Sequence, residues 1–281
     1  MEVNLYRRLL KGIKQVCTYL LSLFIGAVFL LPIFWMVSFS LRTTESAFEP
    51  TIWPTTVSLS QYRWLLAQPH VLRAFGNSLV VAGVATVISV FLSFLAAYGF
   101  SRFRSRFGTV LLLAIVGTKM FPGVLLAMSY FDILTTFGGF DSLWGLALID
   151  AMYTMPFCVW MMTNYFNSIT PAMDEAAMID GCSRLGVLFR IVLPASAPGV
   201  VATITYSFLL SWNEYLFALT FISSNSKKLA TVAMTELIGQ WWTNTPQLMA
   251  FATLATLPLI AAFLLIQRYL VQGLTLGAEK A

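Results

Sequence analysis

Glu175-Ala-Ala-Met-Ile-Asp-Gly181-Cys-Ser-Arg-Leu-Gly-Val-Leu-Phe-Arg-Ile191-Val-Leu-Pro194 is a polar, partly amphipathic island in a chain otherwise made of long apolar runs. Thr170-Pro171 just before it predict a helix start, with a hydroxyl at the N-cap and a proline where no N–H is needed. Asp174 and Glu175 fall in the first turn, where negative charge complements the helix dipole. Gly181 follows Asp180 and predicts a stop in the left-handed conformation that glycine adopts without steric cost. A second short helix is expected from Ser183 to about Val192, ending against Pro194. Ala176 and Ala177 carry almost no side chain, so that face admits close approach of another surface.

The flanks of this island are membrane-like. Of 281 residues, 58% are hydrophobic and 10% charged, against about a quarter charged in soluble proteins; the mean hydropathy is +0.80. The apolar runs are continuous and close to the length of a membrane-spanning helix, not the short alternating strands of a barrel. Six spans are expected, at about 18–39, 77–100, 109–131, 143–166, 198–222 and 248–270. The first follows Arg7, Arg8, Lys11 and Lys14. It is longer than a signal-peptide core and contains Pro32 and Trp35, so it reads as a retained span. The expected organisation is an N-terminal segment 1–17, a six-span domain 18–270 with its polar loop at 168–196, and a tail 271–281.

Charge sets the orientation. Of the 17 lysines and arginines, 11 fall on the side of the termini: Arg7, Arg8, Lys11, Lys14, Arg102, Arg104, Arg106, Arg184, Arg190, Arg268 and Lys280. Five fall opposite: Arg42, Arg63, Arg73, Lys227 and Lys228. The positive-inside rule then places both termini and the Glu175–Pro194 stretch in the cytoplasm. The net charge of +5 does not indicate nucleic acid, because the cations flank spans instead of lining one face. Cys17, Cys158 and Cys182 lack any disulfide or metal-ligand spacing, and the lone His70 is given no role. No phosphate-binding Gly-x-x-x-x-Gly-Lys-Ser/Thr occurs, so any nucleotide hydrolysis belongs to another chain.

The seventeenth cation, Lys119, falls in mid-span, about 15 Å from either end. Pro122 cannot donate to the carbonyl of Thr118, and Gly117 and Gly123 lie nearby, so this span is expected to bend or unwind. Lys119 either satisfies freed carbonyls, pairs with an acid, or faces a wet cavity. Asn213 and Glu214 in the fifth span point about 100° apart. A hydrogen-bond network is the preferred reading for them over direct substrate contact.

Glu-Ala-Ala, three residues, Gly, nine residues, Ile-x-Leu-Pro resembles the "EAA" loop of ABC importer permeases. Asn77-Ser78-Leu79, Trp212-Asn-Glu-Tyr215 and Gln267-Arg-Tyr-Leu-Val-Gln-Gly-Leu-Thr-Leu-Gly277 are similar to carbohydrate importer permeases, above all the smaller six-span partner of maltose-type systems. The resemblance implies an all-helical bacterial inner-membrane protein with a cytoplasmic coupling loop between spans 4 and 5. It implies a second, non-identical permease, two ATPase subunits that use ATP and Mg²⁺, an external solute-binding protein, a carbohydrate as cargo and surrounding lipid. No cofactor is expected in this chain, and no catalytic residue. Glu175, Ala176, Ala177, Asp180, Gly181, Ile191, Leu193 and Pro194 would couple it to the ATPase. Lys119, Asn213 and Glu214 are the candidates for the pathway, and a lysine where the related permeases carry an amide raises an acidic sugar as cargo. Two rivals are set against this reading. A self-contained ion-coupled carrier using Lys119 and Glu214 would survive loss of an ATPase. An intramembrane enzyme lacks a nucleophile–base or metal constellation.

Overall fold

The computed structural model describes residues 2–103, 105–239 and 243–278, with side chains described except for 2–10, 265 and 268–278. Arg104, Trp241, Trp242 and Lys280 therefore lie outside the described residues, as do the side chains of Arg7, Arg8 and Arg268. The chain divides into two units, Met1–Ala67 with Leu237–Leu254, and Gln68–Glu236 with Ala255–Ala281.

In the first unit, α1 (Glu2–Ser40) is a single apolar helix that continues through Pro32. The segment between it and the second expected span is ordered. It contains a 3-10 turn at Glu45–Phe48 and a short helix, α2 (Ser60–Leu66). Arg42, read from sequence as one more outside cation, is wholly buried at the centre of this segment. Its guanidinium lies 4.3 Å from the centroid of the Phe39 ring. It donates to the carbonyls of Ser46 (3.4 Å), Glu49 (2.8 Å) and Thr51. Those carbonyls would otherwise have to find water, so the arginine organises the loop by satisfying it.

The second unit is built on α3 (Pro69–Arg102). It starts eight residues earlier than the predicted 77, because Pro69 at its first turn needs no N–H partner. Then come α4 (Arg106–Gly117), a 3-10 turn at Thr118–Met120, and α5 (Gly123–Thr136). The expected break is present: the two halves meet at 101°. Pro122 has no N–H for the Thr118 carbonyl, which accepts instead from Phe121 N at 3.3 Å. The span also runs on to Thr136, beyond the predicted end at 131.

Next is α6 (Leu143–Asn167), followed by the polar island: α7 (Ala172–Ile179), α8 (Arg184–Val187), a π-helical turn at Leu188–Val192 and α9 (Leu193–Ala195). The island leads into α10 (Ala197–Trp212) at an angle of 81°. A continuous fifth span over 198–222 was expected. The helix instead stops at Trp212 and restarts as α11 (Leu216–Phe221). Then come α12 (Ala230–Thr235) and α13 (Thr245–Ala278), which continues past the predicted end of the last span at 270.

The centre of the second unit is a seam of small residues where α3, α6 and α10 meet. Ala82, Ala85, Ser89, Ser93, Ala147, Ala151, Thr154, Thr203 and Ser207 are all buried. Small side chains let membrane helices approach closely, and hydroxyls then bond across the gap. The Oγ atoms of Ser89 and Ser207 are 2.7 Å apart. Gly199 lies directly beneath the Tyr165 ring, where any Cβ would collide with it.

Among the described residues, four helices are long and apolar enough to cross a membrane: Lys11–Ser40, Pro69–Arg102, Leu143–Asn167 and Thr245–Leu264. Counting each bent pair as one span gives six. No strand occurs among the described residues. The chain is an all-α polytopic membrane protein.

Candidate functional site

The island Ala172–Ala195 turns back beside the ends of α3 and α6. Its first helix, α7, begins without the predicted Thr170 side-chain cap. Pro171 occupies the N-cap position, and the Thr170 carbonyl accepts from Met173 N at 3.2 Å. The stop at Gly181 is as the sequence predicts. Gly181 has φ +89°, its N–H reaches the carbonyl of Met178 at 3.1 Å, and Cys182 N reaches Ala177 at 2.9 Å. This pair of bonds is the Schellman arrangement, which satisfies two carbonyls that a helix end leaves open. Ser183 then caps α8, accepting from Gly186 N at 3.1 Å.

Pro194 does not end the second helix as expected. The chain widens into the π-helical turn Leu188–Val192, passes through Pro194, and breaks only at Ser196. Proline removes the N–H that the Arg190 carbonyl would use and crowds that carbonyl, and widening the helix relieves both effects.

The two alanines do not share a face. Ala177 is buried and packs in a cluster with Phe94, Met162, Phe166, Val187 and Val192, while Ala176 is exposed. Neighbours on a helix point about 100° apart, so the smallness of Ala177 serves internal packing and that of Ala176 faces outward. Glu175, Asp180 and Gly181 are exposed. Met173, Ile179 and Leu185 stand out beside them, Ile179 with 86% of its surface uncovered. Ile191 and Leu193 pack against the cluster, whereas Pro194 is exposed and anchors nothing.

The residue that ties this island down is Asp174, whose role goes beyond complementing the helix dipole. It is 4% exposed and forms a two-pronged ion pair with Arg102 at the end of α3. Nε to Oδ2 is 2.7 Å and Nη2 to Oδ1 is 3.2 Å. Arg102 also donates to the carbonyls of Phe166 (3.1 Å) and Ile169 (3.4 Å), which close α6. Tyr98 donates to Asp174 Oδ2 at 3.3 Å. One guanidinium thus joins α3, the end of α6 and α7. The signal available in sequence was weak: a basic residue at the end of one span and an acid at the start of a distant helix.

The candidate pathway residues are dispersed. Lys119 sits at the break between α4 and α5, half-buried, with Nζ 3.3 Å from the centroid of the Tyr153 ring. No carboxylate lies within ion-pairing distance of it among the described residues. Tyr153 stands edge-on to Phe217 at 5.3 Å. Glu214 turns inward to cap α11, its Oε1 accepting from Phe217 N at 2.7 Å and its Oε2 from Ala218 N at 2.8 Å. That accounts for the helix break, since the carboxylate replaces the preceding turn as acceptor for those donors. Asn213 points outward, its amide on the Leu209 carbonyl at 2.8 Å.

At the opposite end of α3, the side chain of Asn77 donates to the carbonyls of Ser226 and Lys228, both at 3.0 Å. Ser78 Oγ accepts from Ala230 N at 2.9 Å. Asp141, at the turn between α5 and α6, accepts from the backbone N–H groups of Ser223 (3.0 Å) and Ser224 (2.9 Å) and pairs with Lys227 at 3.0 Å.

Known proteins resemble this chain. The sequence pattern described as "Binding-protein-dependent transport system inner membrane component" matches residues 89–276, which include the island. The inner membrane ABC transporter permease protein YcjP of Escherichia coli K12 is 33% identical, with 98% of each chain covered. The trehalose/maltose transport system permease protein MalG of Thermococcus litoralis is 29% identical, over 95% of this chain and 98% of its own. A crystal structure of a bacterial ABC transporter that imports the acidic polysaccharide alginate superposes with a TM-score of 0.79 at 20% identity, covering 92% of this chain and 96% of the other.

Proposed function

This chain belongs to the family of binding-protein-dependent transport system inner membrane components, and we propose that it forms, with a second permease, the path of an ATP-driven importer for a carbohydrate. It is a multi-pass inner-membrane permease and not an enzyme; ATP hydrolysis belongs to a partner subunit. In this reading two ATPases, which hold the ATP and Mg²⁺, lie beneath the pair and a solute-binding protein delivers cargo from outside. Both termini and the island Ala172–Ala195 face the cytoplasm, in keeping with the excess of lysine and arginine on that side. The trehalose/maltose relative supports a sugar or oligosaccharide as cargo.

The observation that carries the reading is the two-sidedness of the island. Glu175, Ala176, Asp180 and Ile179 face outward, available to an ATPase cleft. Asp174 and Ala177 face inward, bonded to Arg102 and packed under Phe94 and Phe166. A displacement applied to the outer face is therefore delivered to α3 and α6. Lys119, with no carboxylate partner among the described residues at the broken third span, is proposed to face the pathway, with the Tyr153 ring beside it as a surface for a sugar. An acidic sugar fits that pairing.

Two substitutions test the coupling role. Glu175→Lys opposes like charges across the cleft, which can cost several kcal/mol, so the purified complex is expected to lose its ATPase. Gly181→Val forces a β-branched residue to positive φ, at a cost of about 1–2 kcal/mol. It is expected to retain the ATPase and lose substrate-stimulated hydrolysis. Normal ATPase binding and wild-type uptake in both variants would remove the island from the mechanism.

A further inference from the structure

The seam of α3, α6 and α10 is polar in layers, and one layer is left open. In the closed layer, Ser89 and Ser207 meet at 2.7 Å, and Ser207 donates to Thr154 Oγ1 at 3.4 Å. One helical turn farther from the island, the same three helices present Thr86, Asp150 and Ser211. Thr86 is three residues before Ser89, Asp150 four before Thr154, and Ser211 four after Ser207. α3 and α6 run in the same direction and α10 runs against them, so these offsets bring all three residues to one level.

All three are buried, with exposures of 6% for Thr86, 1% for Asp150 and 1% for Ser211. The hydroxyls of Thr86 and Ser211 and both carboxyl oxygens of Asp150 lack any hydrogen-bond partner among the described residues. Neighbouring hydroxyls behave otherwise. Thr154, Thr163 and Thr203 each bond back to the carbonyl four residues earlier, the usual solution for hydroxyls in membrane helices. Buried polar groups are rarely left unpaired, and a membrane carboxylate without a partner is among the costliest.

The charges around the layer indicate what is missing. Glu214 follows Ser211 by three residues, just past the end of α10. Its own oxygens are committed to the Phe217 and Ala218 N–H groups. Lys119 stands over the Tyr153 ring, and Cys158 lies two turns along α6. No basic side chain is paired with Asp150 among the described residues. The donors are a carboxylate and two hydroxyls, which are hard oxygen ligands carrying one formal negative charge. A divalent ion calls for more carboxylates or retained waters. We infer that Thr86, Asp150 and Ser211 form a buried site for one monovalent cation, sodium, that holds α3, α6 and α10 together.

The test uses the whole transporter complex in lipid nanodiscs, with radioactive sodium as the probe and potassium and choline as competitors at constant ionic strength. Saturable binding of one sodium per chain is expected, with thermal stability higher in sodium than in choline. Asp150→Asn, which keeps the side-chain shape, is expected to abolish the binding. Thr86→Val, also close in shape, is expected to weaken it while the complex still assembles, so the site remains testable if the Asp150 variant misassembles. Absence of saturable binding to the wild type, or binding that survives Asp150→Asn, would overturn the site. Infrared detection of a protonated carboxyl that persists in saturating sodium and disappears in Asp150→Asn would also overturn it, because a proton would then occupy the cation's place.

Discussion

Asp174→Asn removes one charge from the pair that holds α7 against α3 and leaves the rest of the geometry nearly isosteric. Both partners are buried, with side-chain exposures of 8% for Arg102 and 6% for Asp174. Removing one member of a buried pair costs about 3–5 kcal/mol, because the other charge stays behind without compensation. Arg102 would keep its bonds to the carbonyls of Phe166 and Ile169 and its place 6.0 Å from the Tyr98 ring. The lower end of the range, about 3 kcal/mol, therefore applies. At about 1.4 kcal/mol per factor of ten, that is a roughly 150-fold rise in the fraction of molecules with α7 released. Hydrogen–deuterium exchange of residues 172–182 in the assembled complex reads this directly, with the buried α3–α6–α10 seam as the unchanged internal control. Uptake should fall while basal ATP hydrolysis persists, since a released α7 still meets the ATPase but no longer draws on α3. The double substitution Arg102→Leu with Asp174→Leu should be milder than Asp174→Asn alone, because it leaves no buried charge. Exchange of α7 at the wild-type rate in Asp174→Asn would show that the pair does not hold the island, and the transmission route through α3 would fail.

Lys119→Gln should leave assembly intact and depress uptake of an acidic sugar far more than that of a neutral one; paired uptake assays in proteoliposomes check this, and equal losses would take Lys119 off the pathway. Glu214→Ala strips the acceptor from two N–H groups at the start of α11 and should cost about 1–2 kcal/mol. It is expected to lower the melting temperature of the complex and to reduce transport of all cargoes alike. Bonds from the Ser224 hydroxyl and N–H, then from Lys227, hold the Asp141 carboxyl well below the usual carboxylate range. Its contribution is therefore full above the unfolded value of about 4 and is lost only as pH falls through the lower folded value. The melting-temperature gap between wild type and Asp141→Asn should accordingly be constant at neutral pH and shrink only in strong acid.

The sequence was informative where the cause is local. Apolar run lengths report spans because each spanning helix satisfies its own backbone. Pro122 reports a break because the missing N–H is written in the residue itself, and Gly181 reports a bend for a similar reason. The break at Asn213–Tyr215 escaped notice because Leu216–Phe221 continues the hydropathy of α10 without interruption. What stops the helix there is a carboxylate choosing backbone donors, and composition does not record that choice. The ion pair of Asp174 is not legible for a different reason. Its partner is 72 residues away in the chain, and an acid in a first turn already has a sufficient local explanation. Thr170 shows the opposite error, since a good capping residue went unused when Pro171 took the position. The neighbouring Ala176 and Ala177 looked like one smooth face and proved to serve two.

The continuity of α3 has a mechanical consequence. α4 and α5 are split by a right-angled break, and α10 and α11 by another discontinuity. α3 runs unbroken between two pinned ends in the second unit, from Asn77 and Ser78, which grip the loop at Ser226–Ala230, to Arg102, which grips α7. Those grips are 25 residues apart, or about 38 Å at 1.5 Å per residue. An α-helix of that length is stiff along its axis, so it acts as a push-rod: a shift imposed on α7 emerges at the Ser226–Ala230 loop with little loss. The broken helices beside it are then the compliant members, bending at Pro122 and Glu214 while the rod keeps its length.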